Sequence, residues 1–192
     1  MERAIAGLLS AMPHLAPLYA ATVNSYKRYA PHTSAPGRYA WAFDNRGCAI
    51  RVIGVGENAH VEVRLPGADA NLYLAVAAAC AAIIHGLQDH PDLSPPCVGD
   101  PYAVDDATPV PADLAEAVRG FDGNKIVLDA SGENVVRHYV RAARAEIAWH
   151  RSQVTDVERE YGIGRPCLGP SPAAEPPPGS GLHLTCSPRR TP

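Results

Sequence analysis

Arg51, Glu62 and Arg64 fall at positions where strand geometry puts a carboxylate beside two guanidinium groups. In the runs GCAIRVI (Gly47 to Ile53) and HVEVRL (His60 to Leu65), Ile50 and Val52 flank Arg51, and Val61, Val63 and Leu65 alternate with Glu62 and Arg64. Successive side chains of a strand point to opposite faces, so the apolar set takes one face and the charged set shares the other. Arginine offers a planar fork of N–H donors that matches phosphate and carboxylate oxygens. A carboxylate suits a hard ion such as Mg²⁺ or Mn²⁺ bridging phosphate oxygens. Together these groups are the parts that phosphoryl transfer asks for. The plainer reading of the same residues is a solvated strand face on which Arg51 is a cross-strand ion-pair partner.

The two runs are joined by GVGENA (Gly54 to Ala59), which makes a β-hairpin the economical arrangement. The same string is a G-x-G-x-x-A after a strand. A dinucleotide site needs a helix N-terminus next, whereas a strand pattern follows, so the glycines are read as the turn. Ahead of the hairpin, Glu2 to Tyr19 has helical apolar spacing, with Pro13 expected to interrupt it. The proline-bearing stretch Asn24 to Ala40 reads as an ordered loop. Behind the hairpin, the alanine-rich Ala70 to Leu87 run reads as a buried core helix rather than a membrane span. PADLAEAVRGF (Pro111 to Phe121) and Gly132 to Val154 predict a short and a long helix. The expected class is α+β: an antiparallel sheet carrying the arginines, with helices packed on its other side. Residues 1–164 form the expected domain, and the Pro-, Gly- and Ser-rich residues 165–192 an expected disordered tail.

The 17 Lys and Arg against 20 Asp and Glu leave a formal charge of -3, which points away from nucleic acid and acidic membrane surfaces. Five cysteines with no C-x-x-C spacing read as free thiols in a reducing compartment. The N-terminus lacks a signal-peptide pattern, so a cytoplasmic location is expected. None of the eight histidines falls in an H-E-x-x-H or H-x-H pattern.

The motifs NSYKR (Asn24 to Arg28), APG (Ala35 to Gly37), DNR (Asp44 to Arg46), IRV (Ile50 to Val52), VEVR (Val61 to Arg64), ADANLYL (Ala68 to Leu74) and VTDVEREY (Val154 to Tyr161) stand in one order. In order and spacing they resemble the C-terminal part of the glutamine synthetase catalytic domain, from about Ile5 to Tyr161. The resemblance implies an ATP-dependent ligase: glutamate is phosphorylated, then ammonia or an amine displaces the phosphate to leave a γ-glutamyl amide. It also implies roles. Glu62 matches a metal-ligand glutamate for Mg²⁺ or Mn²⁺, and Arg64 with Arg28 matches the arginines that grip substrate glutamate. Arg46 and Arg51 match arginines on the transferred phosphoryl group and the nucleotide phosphates.

Several departures temper the expected activity. The family's other metal-binding glutamates, its histidine motif and its N-terminal β-grasp domain belong upstream of the matched region. The chain is therefore expected to be a truncated catalytic domain, inactive alone, poorly soluble, and at most associating with full-length relatives; the alternative is a non-catalytic remnant. Ser34 stands before Ala35-Pro36, where the family commonly carries an ammonium-binding glutamate, so larger amines come into view. His60 replaces an ATP-contacting arginine, and Leu72 replaces a proline at a helix start. Continuation into the Pro-rich tail suggests a late frame change or gene decay.

Overall fold

The computed structural model describes residues 1–30, 33–103 and 106–164; the expected disordered tail at 165–192 lies outside them. The chain divides into a unit from Met1 to Ser152 and a second unit that begins at Gln153. In the first unit the chain opens with α1 (Glu2–Ala11), a 3₁₀ turn (Met12–Leu15) and α2 (Ala16–Tyr19). Pro13 sits at the start of the 3₁₀ turn, so the predicted helix is interrupted where its missing N–H predicts. A second 3₁₀ turn, Val23–Arg28, is capped by Thr22, whose hydroxyl accepts from the Ser25 amide while the Ser25 hydroxyl accepts from the Thr22 amide.

Three strands follow: β1 (Trp41–Phe43), β2 (Ile50–Ile53) and β3 (His60–Val63). β2 and β3 form the predicted hairpin, with Arg51 opposite Glu62 and Ile50 opposite Val63. Gly54 and Gly56 adopt φ of 79° and 61° in its connection, and a strand follows it, so the dinucleotide reading fails. The expected antiparallel sheet needs correction: β1 pairs parallel to β2, and the sheet is mixed. The short Asp44–Ala49 connection turns back without a crossover helix, because Asp44 takes a φ of 46° and the Asn45 side chain accepts from the Gly47 amide at 3.0 Å.

Helices α3 (Leu72–Asp89), α4 (Leu114–Phe121), α5 (Lys125–Ser131) and α6 (Glu133–Ser152) complete this unit. Asn71, Asp113 and Asn124 cap the first three, each side chain accepting from amides of the first turn. α3 packs on α1 through a stripe of Ala75, Ala78, Ala82 and Gly86. Gly7 and Gly86 cross so closely that a Cβ on Gly7 would overlap the Ala82 carbonyl, and one on Gly86 the Arg3 carbonyl. The expectation of a buried α3 is thus corrected to a half-buried one, since Leu72, Tyr73, Val76, Ile84 and Leu87 are exposed. By length and composition alone this helix could cross a membrane.

The main core joins Leu8, Met12, Leu15, Tyr19, Ile50, Leu65, Leu114 and Phe121, all at most 1% exposed. The Tyr19 and Tyr39 hydroxyls hydrogen-bond at 2.5 Å, and Tyr19 donates to the Met12 carbonyl. Burial pushes both phenols well above their ordinary pKa. The second unit contains α7 (Asp156–Gly164), where Thr155 and Glu158 form a reciprocal cap.

Candidate functional site

The exposed face of the sheet carries an ionic strip. Arg51 on β2 donates through Nη1 to Glu62 Oε2 at 3.1 Å and through Nε to Asp44 Oδ1 at 3.1 Å, with a second bond from Nη2 to the same Asp44 oxygen. Arg64, one residue beyond β3, approaches Glu62 Oε1 with its Nε at 3.5 Å. The order Asp44–Arg51–Glu62–Arg64 follows from sheet register, because Arg51 and Glu62 are paired and Arg64 continues the alternation. The Arg51 and Arg64 side chains are 15% and 18% exposed, against 43% for Glu62, so the guanidinium stems lie flat and the carboxylate faces outward. The bonds to Asp44 and then Glu62 raise the Arg51 pKa.

The stretch ahead of β1 borders the strip. Arg64 Nη1 donates to the Ser34 carbonyl at 3.2 Å, bringing the Ser34-Ala35-Pro36 turn to the sheet. Ser34 adopts a φ of 61°, a left-handed conformation uncommon for a serine. The turn is held at its base by the Tyr102 hydroxyl on the Ala35 carbonyl and by backbone bonds from Val110 to Gly37 and from Tyr39 to Thr108. Next to this turn Arg28, whose carbonyl accepts from the Thr33 hydroxyl at 2.8 Å, donates through Nη1 to the Leu65 carbonyl at 2.5 Å, which also accepts from the Tyr29 hydroxyl at 2.8 Å. The Arg28 guanidinium lies 5.1 Å from the Tyr29 ring centroid, a cation–π distance.

Among the residues singled out from the sequence, Arg51, Glu62 and Arg64 therefore meet directly. Arg28 lies beside the end of β3, and Arg46 is exposed in the turn between β1 and β2, with no ion pair among the described residues. Lys27 is exposed. His60 shares the charged face, donating from Nδ1 to the Asn58 carbonyl at 3.0 Å.

The arginines fit phosphate or carboxylate oxygens. For a divalent cation the described residues offer Glu62, here engaged by two arginines; among them no group of three or more His, Cys, Asp or Glu is placed to hold a metal, so a bound cation would need further oxygen ligands. Glu62 on its own holds the two guanidinium groups in register.

Two residues of this site went unassigned in the sequence reading. Asp44 lies within the DNR motif, but its bond to Arg51 depends on the left-handed turn at Asp44 itself. Asp69, within ADANLYL, accepts from the Ser25 hydroxyl at 2.6 Å and the Thr22 hydroxyl at 3.4 Å, tying the Arg28-bearing 3₁₀ turn to the start of α3. The Thr22-x-x-Ser25 spacing was the available signal for that turn. The Ser25 bond above all holds the Asp69 carboxyl below its ordinary pKa, against an opposing desolvation. A depressed folded pKa adds stability that is present above the unfolded value and is lost as pH falls through the folded one. The stability difference between the parent and Asp69→Asn is therefore expected to shrink as pH drops below about 4. Ser25→Ala is expected to move the Asp69 titration upward in a carboxyl NMR experiment; an unmoved titration would contradict the assignment.

Comparison with known proteins follows the same residues. The glutamine synthetase, catalytic domain, family matches residues 1–161. The gamma-glutamylethanolamide synthetase of Streptomyces coelicolor is 43% identical over 158 residues, covering 82% of this chain and 34% of that protein. The glutamate–isopropylamine ligase of a Pseudomonas species is 33% identical over 157 residues, covering 80% and 34%. The gamma-glutamylputrescine synthetase of Escherichia coli K12 is 32% identical over 162 residues, covering 84% and 34%. Among solved structures, GmaS in complex with ADP superimposes with a TM-score of 0.74 at 28% identity, covering 85% of this chain and 39% of that one. The chain spans 34% of the length of each of these three curated relatives, about a third.

Proposed function

Because the chain belongs to the glutamine synthetase family, matching its catalytic domain over residues 1–161, we propose that it carries the arginine-bearing face of an ATP-dependent site joining glutamate to an amine. The observation that carries this reading is the strip Asp44–Arg51–Glu62–Arg64 on an exposed sheet face, bordered by Arg28 and by the Ser34 turn. In this reading Arg64 and Arg28 grip the glutamate carboxylate, while Arg46 and Arg51 take phosphate oxygens. Arginines aimed at a transferring phosphoryl group stabilise its developing charge without reorganising during the reaction. ATP supplies the phosphoryl group that activates the γ-carboxyl when bound. Glu62 acts here by aligning Arg51 and Arg64; a cation for the nucleotide needs further oxygen ligands from outside the described residues.

The amine in this reading is larger than ammonia. Three relatives are named for ethanolamide, isopropylamine and putrescine products or substrates. Ser34 supports the same choice, since its short side chain stands on the turn touching Arg64, where the family resemblance calls for glutamate.

A chimera tests the proposal. In it, this chain's matched segment replaces the corresponding segment of the Streptomyces coelicolor relative. Formation of a γ-glutamyl amide from glutamate, ATP and ethanolamine, isopropylamine or putrescine is expected. A folded, correctly assembled chimera that forms no amide with any of them, while the parent relative remains active, would overturn it.

A further inference from the structure

Cys48 and Cys97 lie outside the ionic strip and take no part in it. Cys48 is 1% exposed and packs with Ala40 and Ala42 in a small cluster of its own, and Cys97 packs against that cluster from a different segment. Ala40 and Ala42 alternate along one face of the β1 segment, and both cysteines pack against that face. Backbone bonds fix both cysteines. The Cys97 amide donates to the Trp41 carbonyl at 2.8 Å, and the Cys48 amide to the Asn45 carbonyl at 3.4 Å. The two segments meet again where Asn45 Nδ2 donates to the Gly99 carbonyl at 3.3 Å, and where a Cβ on Gly47 would overlap the Pro101 ring. Cys97 also lines an open groove of about 510 Å³, together with Tyr39, Ala40, Pro96, Ala107 and Thr108, so one thiol is reached from solvent while the other is enclosed.

We propose that Cys48 and Cys97 form a reversible intramolecular disulfide when a peroxide enters this groove, making the pair a redox modification site. The partly exposed Cys97 reacts first. Its sulfur attacks one peroxide oxygen, the O–O bond breaks, and water leaves with the accompanying proton, giving a Cys97 sulfenic acid. The Cys48 sulfur then displaces the hydroxyl group, and its own proton departs with that hydroxyl as a second water. The two thiols lose two electrons in total, and the peroxide gains them. Burial, with the neighbouring Cys97 thiol, pushes the Cys48 thiol up to about 12, so Cys48 is a poor first target and resists oxidation until its partner is activated. Disulfides in reducing compartments are typically transient and redox-sensing, which suits a pair left free here. Oxidation fastens the turn that carries Arg46 to the Cys97 segment.

The test uses the full chain. It is treated under native conditions with hydrogen peroxide, its remaining thiols are alkylated, and it is digested without reductant for mass spectrometry. A peptide linking Cys48 to Cys97, two hydrogens lighter than the sum of its parts and restored by dithiothreitol, is the expected product. Its rate of formation should not depend on protein concentration, and Cys80, exposed and elsewhere, should remain alkylated separately. In Cys97→Ser, whose altered side chain is only partly buried, Cys48 should stay a thiol that alkylates only after denaturation. Cys97 ending as a sulfinic acid, with Cys48 still a thiol in folded protein, would overturn the inference. The outcome is independent of ligase activity, since neither cysteine belongs to the ionic strip.

Discussion

Phe121→Ala is expected to cost about 3–5 kcal/mol of folding stability, the range for truncating a buried aromatic. Phe121 ends α4 fully buried, and that helix packs on α2, on the Met12–Leu15 turn and on α6. A cavity there has neighbours on several sides, so partial collapse recovers little of the lost packing. Urea unfolding followed by circular dichroism should show a much lower midpoint with a similar slope. A shift of less than about 1 kcal/mol would mean that the site collapses around the smaller side chain.

Arg51→Ala in the chimera is expected to lower kcat/KM by about 10²-fold or more, the scale for removing one charged donor from a transition state. The effect has two sources. A fork of donors is lost from the phosphate face, and Glu62 loses the partner that sets its position, leaving Arg64 without its aligned neighbour. Arg51→Lys keeps the charge but not the planar fork, and should restore only part of the activity. The reading fails if Arg51→Ala matches the parent chimera in both kcat and KM.

How much could be read from the sequence depended on how local each cause was. Register in the hairpin came from the alternation of Val61, Val63 and Leu65 with Glu62 and Arg64, a two-residue pattern visible in one short run, and Arg51 facing Glu62 followed from it. Pro13 likewise acts on its own turn, through a missing donor. The parallel pairing of β1 was not legible, since three residues carry no directional signal and the reversal depends on the Asp44 and Asn45 turn. α5 was missed because only Val127 is fully buried along it, too few apolar positions for a helical period, and its Asn124 cap is a single residue. α3 illustrates the reverse difficulty. Its apolar composition reads as burial on all sides, whereas only the alanine and glycine stripe faces α1. In the site, the three strand residues were legible as a group, but Asp44 and Asp69 were not, because each acts across a turn on a partner far along the chain.

The most direct measurement is a calorimetric titration of ATP with Mg²⁺ into the purified, folded chain, repeated with Arg46→Ala and Arg51→Ala. If this face receives nucleotide phosphates, the parent chain releases or absorbs heat with a saturable isotherm, and each variant weakens binding by about tenfold or more, as loss of a charged hydrogen bond of roughly 1.5–3 kcal/mol implies. No saturable heat from the folded parent chain, or equal affinity in parent and both variants, would contradict the account.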